Sequence, residues 1–170
     1  YVPEGENFKL YVLADGPIYT PVDSTELFYK MQYVETIDMA NLNTSRTEYM
    51  SWMIGSCYKL AELDLSTWDV RNVVTMNGLL YECTSLTEIS FDGWETTSLE
   101  SLQNFLRNCS SLKTADVSDL DTETVTNMHR TFYGCGALEN IIGLDNVILS
   151  LEGSVLSKYY GNLSDMQLEA

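Results

Sequence analysis

The four cysteines of this chain stand at equal intervals along the sequence. They are Cys57, Cys83, Cys109 and Cys135, and each is 26 residues from the next. A leucine follows each cysteine three residues later, at Leu60, Leu86, Leu112 and Leu138. Other apolar columns, such as Met76, Leu102 and Met128, keep the same interval. A fixed period held by several columns at once indicates a protein built from stacked repeats.

The two halves of one repeat have different apolar spacing. Ile89 and Phe91 alternate with polar residues, which predicts a short strand with one buried face. The second half of the same repeat contains Leu99, Leu102, Leu106 and Cys109, spaced like one face of a helix. A polar column of Asn72, Ser98 and Thr124 stands just before this half and suits helix N-caps. Each repeat is therefore predicted to be a strand, a turn and a short helix.

A single unit of this kind cannot bury its apolar stripe, so neighbouring units must stack into a solenoid. The predicted fold class is α/β, a solenoid over residues 24–170. Its predicted units lie near 31–56, 57–82, 83–108, 109–134 and 135–161, with a partial unit at 162–170. Residues 1–23 precede the repeats and contain alternating apolar residues around the turn signal Asp15-Gly16-Pro17. They are predicted to form a β-hairpin that caps the first coil.

The composition narrows the classes of partner. The chain has 25 acidic and 9 basic side chains and a formal net charge of −16, so polyanions would approach a repulsive field. We therefore predict no nucleic-acid partner. No stretch reaches the roughly 18 to 20 apolar residues that a membrane span needs, so no membrane insertion is predicted. The chain opens at Tyr1 rather than at Met, and we expect a processed protein or a fragment of a longer one.

The outward strand positions form an acidic face. Its carboxylates are Asp38, Glu62, Asp64, Glu88, Asp92 and Asp116. Like charges opposite one another in a strand ladder destabilise it, so something must offset the stacking of Asp38 on Asp64. Either hydrogen bonds from neighbouring Ser and Thr or bound cations would do so. Three interpretations stay open: a solvated face, a surface for a cationic or glycan partner, and a site for a metal ion such as calcium.

The cysteines and the single histidine offer little chemistry. Stacked cysteine columns are compatible with disulfides, but one cysteine per repeat favours a ladder of free, buried thiols. The sequence contains no C-x-x-C cluster of the kind that would indicate a zinc site. His129 falls in a polar column without a Ser or Cys partner, and no nucleotide-binding or metalloprotease motif is present. We predict that the protein is not an enzyme and has no cofactor.

Aromatic residues are interpreted as structural. Trp68 and Trp94 share one repeat column and are predicted to fill the coil corner. Tyrosines gather towards the two ends of the chain, among them Tyr11, Tyr29 and Tyr159. End caps are the favoured interpretation, and a role in a recognition surface stays open because tyrosine suits both.

The unit from Leu60 to Cys83, LAELDLSTWDVRNVVTMNGLLYEC, resembles the 26-residue repeat of bacterial surface proteins and lipoproteins, a branch of the BspA-like leucine-rich repeats. A later unit agrees with that repeat at Asp116, Ser118, Asp121, Thr122, Val125, Thr126, Met128 and Phe132. The resemblance covers roughly residues 24–168, with departures at Ala115, Leu120 and 144–147. It implies an exported or surface-displayed protein whose repeats serve recognition or adhesion, and it implies no catalytic residues.

Together with this resemblance, these observations predict a right-handed leucine-rich-repeat-like solenoid that serves as a non-enzymatic, secreted or cell-surface recognition module. We expect it to bind an extracellular protein or glycan through the strand face of the solenoid. A structural spacer that displays another domain is the alternative, and a calcium-stabilised adhesin is a weaker one.

Overall fold

Every strand pairing within the described residues is parallel and joins segments about one repeat apart. The computed structural model describes residues 8–143 of the chain. Its strands are β1 (Phe8–Tyr11), β2 (Ile18–Tyr19), β3 (Val34–Asp38), β4 (Leu42–Asn43), β5 (Glu88–Ser90), β6 (Thr114–Asp116) and β7 (Asn140–Ile142). The pairs are β1 with β3, β2 with β4, β5 with β6 and β6 with β7. The chain is thus a parallel β-solenoid, which confirms the repeat architecture predicted from the sequence.

A second ladder runs along another side of the solenoid. Single bridges link Asp23, Tyr49, Thr75, Ser101 and Asn127 in succession, so five coils stack in register. Neighbouring residues in this ladder are 26 positions apart, because 49−23, 75−49, 101−75 and 127−101 all give that number. The sequence period is therefore the length of one coil.

The predicted helices are wrong, because residues 8–143 contain none. In the segment from Leu99 to Cys109, Leu102 N–H donates to Asn127 O and Leu106 N–H donates to Thr131 O, at 2.8 and 2.9 Å. These bonds go to the next coil and not to a carbonyl four residues back. The chain instead forms consecutive turns, and a helix of only about two turns is marginal in water. The apolar side chains of this segment are still buried, because the turns also direct them inward.

Two backbone positions per coil adopt the left-handed conformation, which interrupts any helix. The φ angle is 58° at Asn104 and 63° at Asn108. Equivalent positions in the other coils behave alike and include Glu26, Lys30, Trp52, Ser56, Gly78 and Glu82. Most of these residues are not glycine, so each such position opposes folding by roughly 1 kcal/mol. The hydrogen bonds between coils and the buried apolar side chains must offset this cost.

The predicted N-terminal hairpin is also wrong. Strands β1 and β2 do not pair with each other but each pairs in parallel with the following coil. Residues 8–23 therefore form one more coil of the solenoid. The offset is 27 at Leu10–Ile37 and 24 at Ile18–Leu42, because the register shifts in this coil. Because of this irregularity, the sequence of residues 8–23 does not follow the constant 26-residue period.

The core runs along the axis as stacked files of side chains. Leu60, Leu86 and Leu112 are fully buried, and Leu138 is partly buried at the far end. Trp68 and Trp94 are buried with nearly parallel rings, their centres 6.2 Å apart at 7°. Each coil thus covers the apolar face of its neighbour, as a solenoid requires. The predictions made for residues 144–170, which include the partial last unit and Tyr159, lie outside the described residues.

A helix capable of spanning a membrane is absent from residues 8–143.

Candidate functional site

The six predicted carboxylates lie on one side of the solenoid, and we call them the acidic strand face: Asp38, Glu62, Asp64, Glu88, Asp92 and Asp116. All are exposed except Asp116, which is half-buried. The ladder pairs Tyr11 with Asp38 and Thr36 with Glu62. Asp116 pairs with Ser90, so a neutral residue stands beside it in the preceding coil.

Local hydrogen bonds hold three of these aspartates. Asp38 Oδ1 accepts the N–H of Ala40 at 3.1 Å, and Asp64 Oδ1 accepts the N–H of Ser66 at 2.9 Å. Asp116 Oδ1 accepts both the N–H and the hydroxyl of Ser118, at 3.1 and 2.7 Å. Such Asx turns end the strand and bend the chain into the next corner. They give each of the three carboxylates a hydrogen-bond donor from its own coil.

The same bonds stabilise the ionised form of Asp64. Hydrogen bonds from the Ser66 side chain and backbone lower the pKa of the Asp64 carboxyl below its ordinary value. Because the Asx turn uses one oxygen, the carboxylate presents a fixed negative charge at the surface.

Part of the acidic strand face lines a cleft of about 480 Å³ at the N-terminal end of the solenoid. Asp38, Glu62 and Asp64 contribute to it, together with Lys9 and Tyr11 from the first coil. Tyr11 is 56% exposed. The remaining three carboxylates, Glu88, Asp92 and Asp116, do not line this cleft. The structure therefore brings together three of the six predicted residues and adds a cation and an aromatic ring.

Within the part of the chain that the structure describes, no group of three or more His, Cys, Asp or Glu side chains is placed to hold a metal ion. His129 is half-buried, and its backbone N–H donates to Asn127 Oδ1 at 3.1 Å.

The cysteines form a ladder of free thiols inside the solenoid. Each Sγ donates to a backbone carbonyl of the preceding coil. The pairs are Cys57 with Phe28, Cys83 with Ile54, Cys109 with Leu80 and Cys135 with Leu106, at 3.2, 3.3, 3.0 and 3.0 Å. Cys57, Cys83 and Cys109 are buried, and Cys135 is half-buried.

The first three thiols hold their protons at neutral pH. Burial raises the pKa of Cys57 to about 11 and raises that of Cys83 further. The pKa of Cys109 is also raised. The largest cause is a hydrogen bond with Cys135, and the next is burial. Because the thiolate is the nucleophile and the metal ligand, these three side chains suit packing rather than chemistry.

A second surface feature was missed by the sequence analysis. We call it the aromatic stripe: Tyr29, Trp52, Tyr81, Arg107 and Tyr133. It contains one side chain per coil and runs along the solenoid. The Trp52 ring lies 6.4 Å from that of Tyr29 and 4.9 Å from that of Tyr81, at 72° and 70° between planes. Tyr29 therefore belongs to a stripe along the axis, and its role is not confined to the end of the stack.

Arg107 continues the stripe where a ring is missing. Its guanidinium carbon lies 5.6 Å from the ring centre of Tyr81 and 5.5 Å from that of Tyr133. Cations stacked on ring faces in this way are attracted by the ring quadrupole. The signal in the sequence was the column at positions 29, 55, 81, 107 and 133, which reads Tyr, Gly, Tyr, Arg, Tyr.

The parallel ladders and the surface they present define a solenoid repeat protein. Residues 22–145 match the family described as "Mycoplasma protein of unknown function, DUF285", and the chain belongs to this family. No curated protein shows significant sequence similarity to the chain. Among solved structures, the chain is similar to the crystal structure of the T. pallidum leucine rich repeat protein (TpLRR). The identity is 18% and the TM-score 0.42, covering 82% of this chain and 71% of that one.

Proposed function

We propose that this chain is a non-enzymatic recognition module, displayed at the cell surface or secreted, that binds a cationic protein through the acidic strand face. The observation that carries the proposal is the cleft in which Asp38, Glu62 and Asp64 meet beside Tyr11. Tyrosine offers contact area at low entropy cost, and carboxylates attract a basic side chain over several ångströms.

The rigidity of the face supports this function. The Asx turns fix Asp38, Asp64 and Asp116 on a hydrogen-bonded ladder, so little side-chain entropy is lost on binding. The net charge of −16 also favours encounter with a basic partner. The resemblance to BspA-like repeats supports a surface location and a role in adhesion, which antibody labelling of intact cells would test.

The test is a binding screen against immobilised extracellular-matrix proteins, run at several salt concentrations and with calcium or a chelator. The variant Asp38→Asn, Glu62→Gln, Asp64→Asn removes the charge of the cleft but keeps its hydrogen-bonding groups. The control Glu48→Gln, Glu100→Gln, Glu123→Gln removes the same charge from exposed residues elsewhere. We expect saturable, salt-sensitive binding that the cleft variant loses and the control retains.

Three results would contradict the proposal. Equal loss of binding in both variants would indicate an effect of net charge rather than a site. A well-folded sample that binds nothing in the screen would favour the structural spacer. A melting temperature that falls when the chelator is added would favour the calcium-stabilised adhesin instead.

A further inference from the structure

Trp52 lies flat on the backbone of the next coil. A Cβ atom placed on Gly78 would come within 2.7 to 2.8 Å of three carbons of the six-membered ring of Trp52. One face of the indole therefore covers Gly78, in the space where any other residue would carry its side chain. The ring is still partly exposed. Tyr29 and Tyr81 flank it at steep angles, so the indole forms the floor between two other rings.

The charges around this floor are mixed. Lys30 Nζ stacks 4.9 Å from the Tyr29 ring centre, and the Arg107 guanidinium stacks on Tyr81. Carboxylates stand beside them: Glu26 occupies the Trp52 column one coil earlier, and Glu82 Oε2 accepts the Tyr58 hydroxyl at 3.3 Å. A cationic ligand would meet Lys30 and Arg107, and an anionic ligand would meet the two glutamates. The two cations and the two carboxylates balance, so the surroundings favour neither a cationic nor an anionic ligand.

A neutral ligand with one apolar face and many hydroxyl groups fits this arrangement. The C–H groups of a pyranose ring carry partial positive charge and pack on the negative face of an aromatic ring. Its hydroxyls can both donate to carboxylates and accept from ammonium and guanidinium groups. We propose that the aromatic stripe binds a neutral glycan, with Trp52 as the platform for one pyranose ring.

The direction of the stripe indicates a linear chain of sugars. The stripe has one side chain in each of five successive coils, and adjacent strands of a sheet lie about 4.8 Å apart. Tyr133 is 47% exposed and extends the stripe beyond Arg107. The ligand would therefore lie along the solenoid axis, and it would contact Trp52 and Tyr133 through different sugar units. This site is separate from the acidic strand face and does not depend on it.

Titration with defined oligosaccharides tests the proposal. The neutral probes are cellohexaose, mannohexaose and chitohexaose, and the charged probes are chitosan hexaose and an oligogalacturonate. Binding is followed by calorimetry and by the emission of Trp52, since Trp68 and Trp94 are buried. Titration up to about 10 mM detects a Kd near 1 mM. We expect at least one neutral probe to bind and both charged probes to bind about tenfold more weakly or not at all.

Variants of the platform locate the site. Trp52→Gly removes the ring and suits the φ of 58° at this position, so it is expected to fold, and it should weaken binding at least about tenfold. Trp52→Phe keeps a ring and should retain most of the affinity. Tyr19→Ala is the matched control, because Tyr19 is an exposed tyrosine with Arg46 stacked at 4.2 Å outside the stripe.

Three outcomes would overturn the proposal. They are no binding by any neutral probe, binding that Trp52→Gly leaves unchanged, and stronger binding of a charged probe. Loss of a protein partner in Trp52→Gly without any oligosaccharide binding would assign the stripe to protein contact instead. The cleft variant Asp38→Asn, Glu62→Gln, Asp64→Asn should keep glycan affinity, so failure of the proposed function and failure of this inference are distinguishable.

Discussion

The Thr44 hydroxyl bonds to both backbone groups of Asp69 in the next coil. It accepts the Asp69 N–H and donates to the Asp69 carbonyl, each at 2.9 Å. Thr20 and Thr96 occupy the same place in their coils and donate to Asn43 O and Asp121 O, at 3.1 and 2.9 Å. These threonines are buried, so their hydroxyls link coils where the chain has no long strand to do so. Val70 interrupts the column in one coil.

The threonine column predicts an asymmetric pair of substitutions. Thr96→Val keeps the shape but leaves Asp121 O without its donor, so we expect a loss of about 1 to 2 kcal/mol in the free energy of unfolding. Val70→Thr offers a hydroxyl to the backbone at Glu95 and should be neutral or slightly stabilising. Urea denaturation of both variants is the measurement. Equal destabilisation by the two changes would contradict this account.

The two stacked tryptophans differ in their hydrogen bonding. Trp94 Nε1–H donates to Leu65 O at 3.2 Å. Trp68 Nε1 is also buried, but no residue in the described part of the chain accepts a hydrogen bond from it. Replacing Trp94 by Phe should therefore cost about 1 kcal/mol more than replacing Trp68 by Phe, because only Trp94 loses a bond. Thermal unfolding of the two variants compares them directly. A larger loss in Trp68→Phe would show that its indole nitrogen has an acceptor in solution.

The solenoid could be predicted from the sequence because each coil must place the same kinds of residue at the same positions, which makes the sequence periodic. Cys57, Cys83 and Cys109 must meet the same surroundings in each coil, and only stacking at a constant length provides that. The helix prediction was wrong for a physical reason. Consecutive turns can bury apolar residues that have the same spacing as those on one face of a helix. The two can be distinguished only by where the backbone N–H groups bond, and no side-chain pattern reports that. The first coil was missed because its register shifts.

The candidate site was less predictable than the fold. Outward strand positions identified the acidic strand face, but the cleft needs Lys9 and Tyr11 from a coil that the sequence did not reveal. The aromatic stripe depends on Trp52 lying between the rings of Tyr29 and Tyr81, and these contacts join different columns of the repeat. Column-by-column comparison finds residues that stack on their equivalents and misses those that pack on a neighbouring column.

Gly78 is predicted to be the least replaceable glycine beneath the stripe. Gly78→Ala places a methyl group against the Trp52 ring at a position where φ is +61°, and we expect a loss of at least about 2 kcal/mol. Gly16→Ala is the control, because no atom lies within 4 Å of the added carbon. In a Trp52→Gly background the cost of Gly78→Ala should fall to about 1 kcal/mol, the backbone strain alone. An unchanged cost would show that Trp52 does not pack on Gly78.

The buried thiols predict that stability falls at alkaline pH. The ordinary pKa of a cysteine is 9.0, and that of Cys57 in the folded protein is about 11. Above pH 9 the unfolded chain has lost a proton that the folded chain retains, so the free energy of unfolding decreases as pH rises. The thiol contribution is complete below pH 9, and for Cys57 it is lost between about pH 9 and 11, at up to roughly 1.4 kcal/mol per pH unit.

The matched variant for the thiols is Cys57→Ala, Cys83→Ala. It should be less stable at neutral pH, because two buried side chains are truncated, but its stability should fall less steeply between pH 9 and 11. Urea denaturation across that range gives both slopes. Equal slopes would mean that the thiols do not ionise differently in the two states.

Removing one whole coil tests the modular stack. Deletion of residues 83–108 joins Glu82 to Cys109 and keeps every column in phase, because the deleted segment is one 26-residue period. The shortened protein should fold and be about 4.8 Å shorter along its axis, as measured by small-angle scattering. Its melting temperature should be lower, since Trp68 would then stack on Leu120 in place of Trp94. Deletion of residues 83–102 shifts the columns and should abolish folding, so similar behaviour of the two deletions would contradict a structure held by its repeat length.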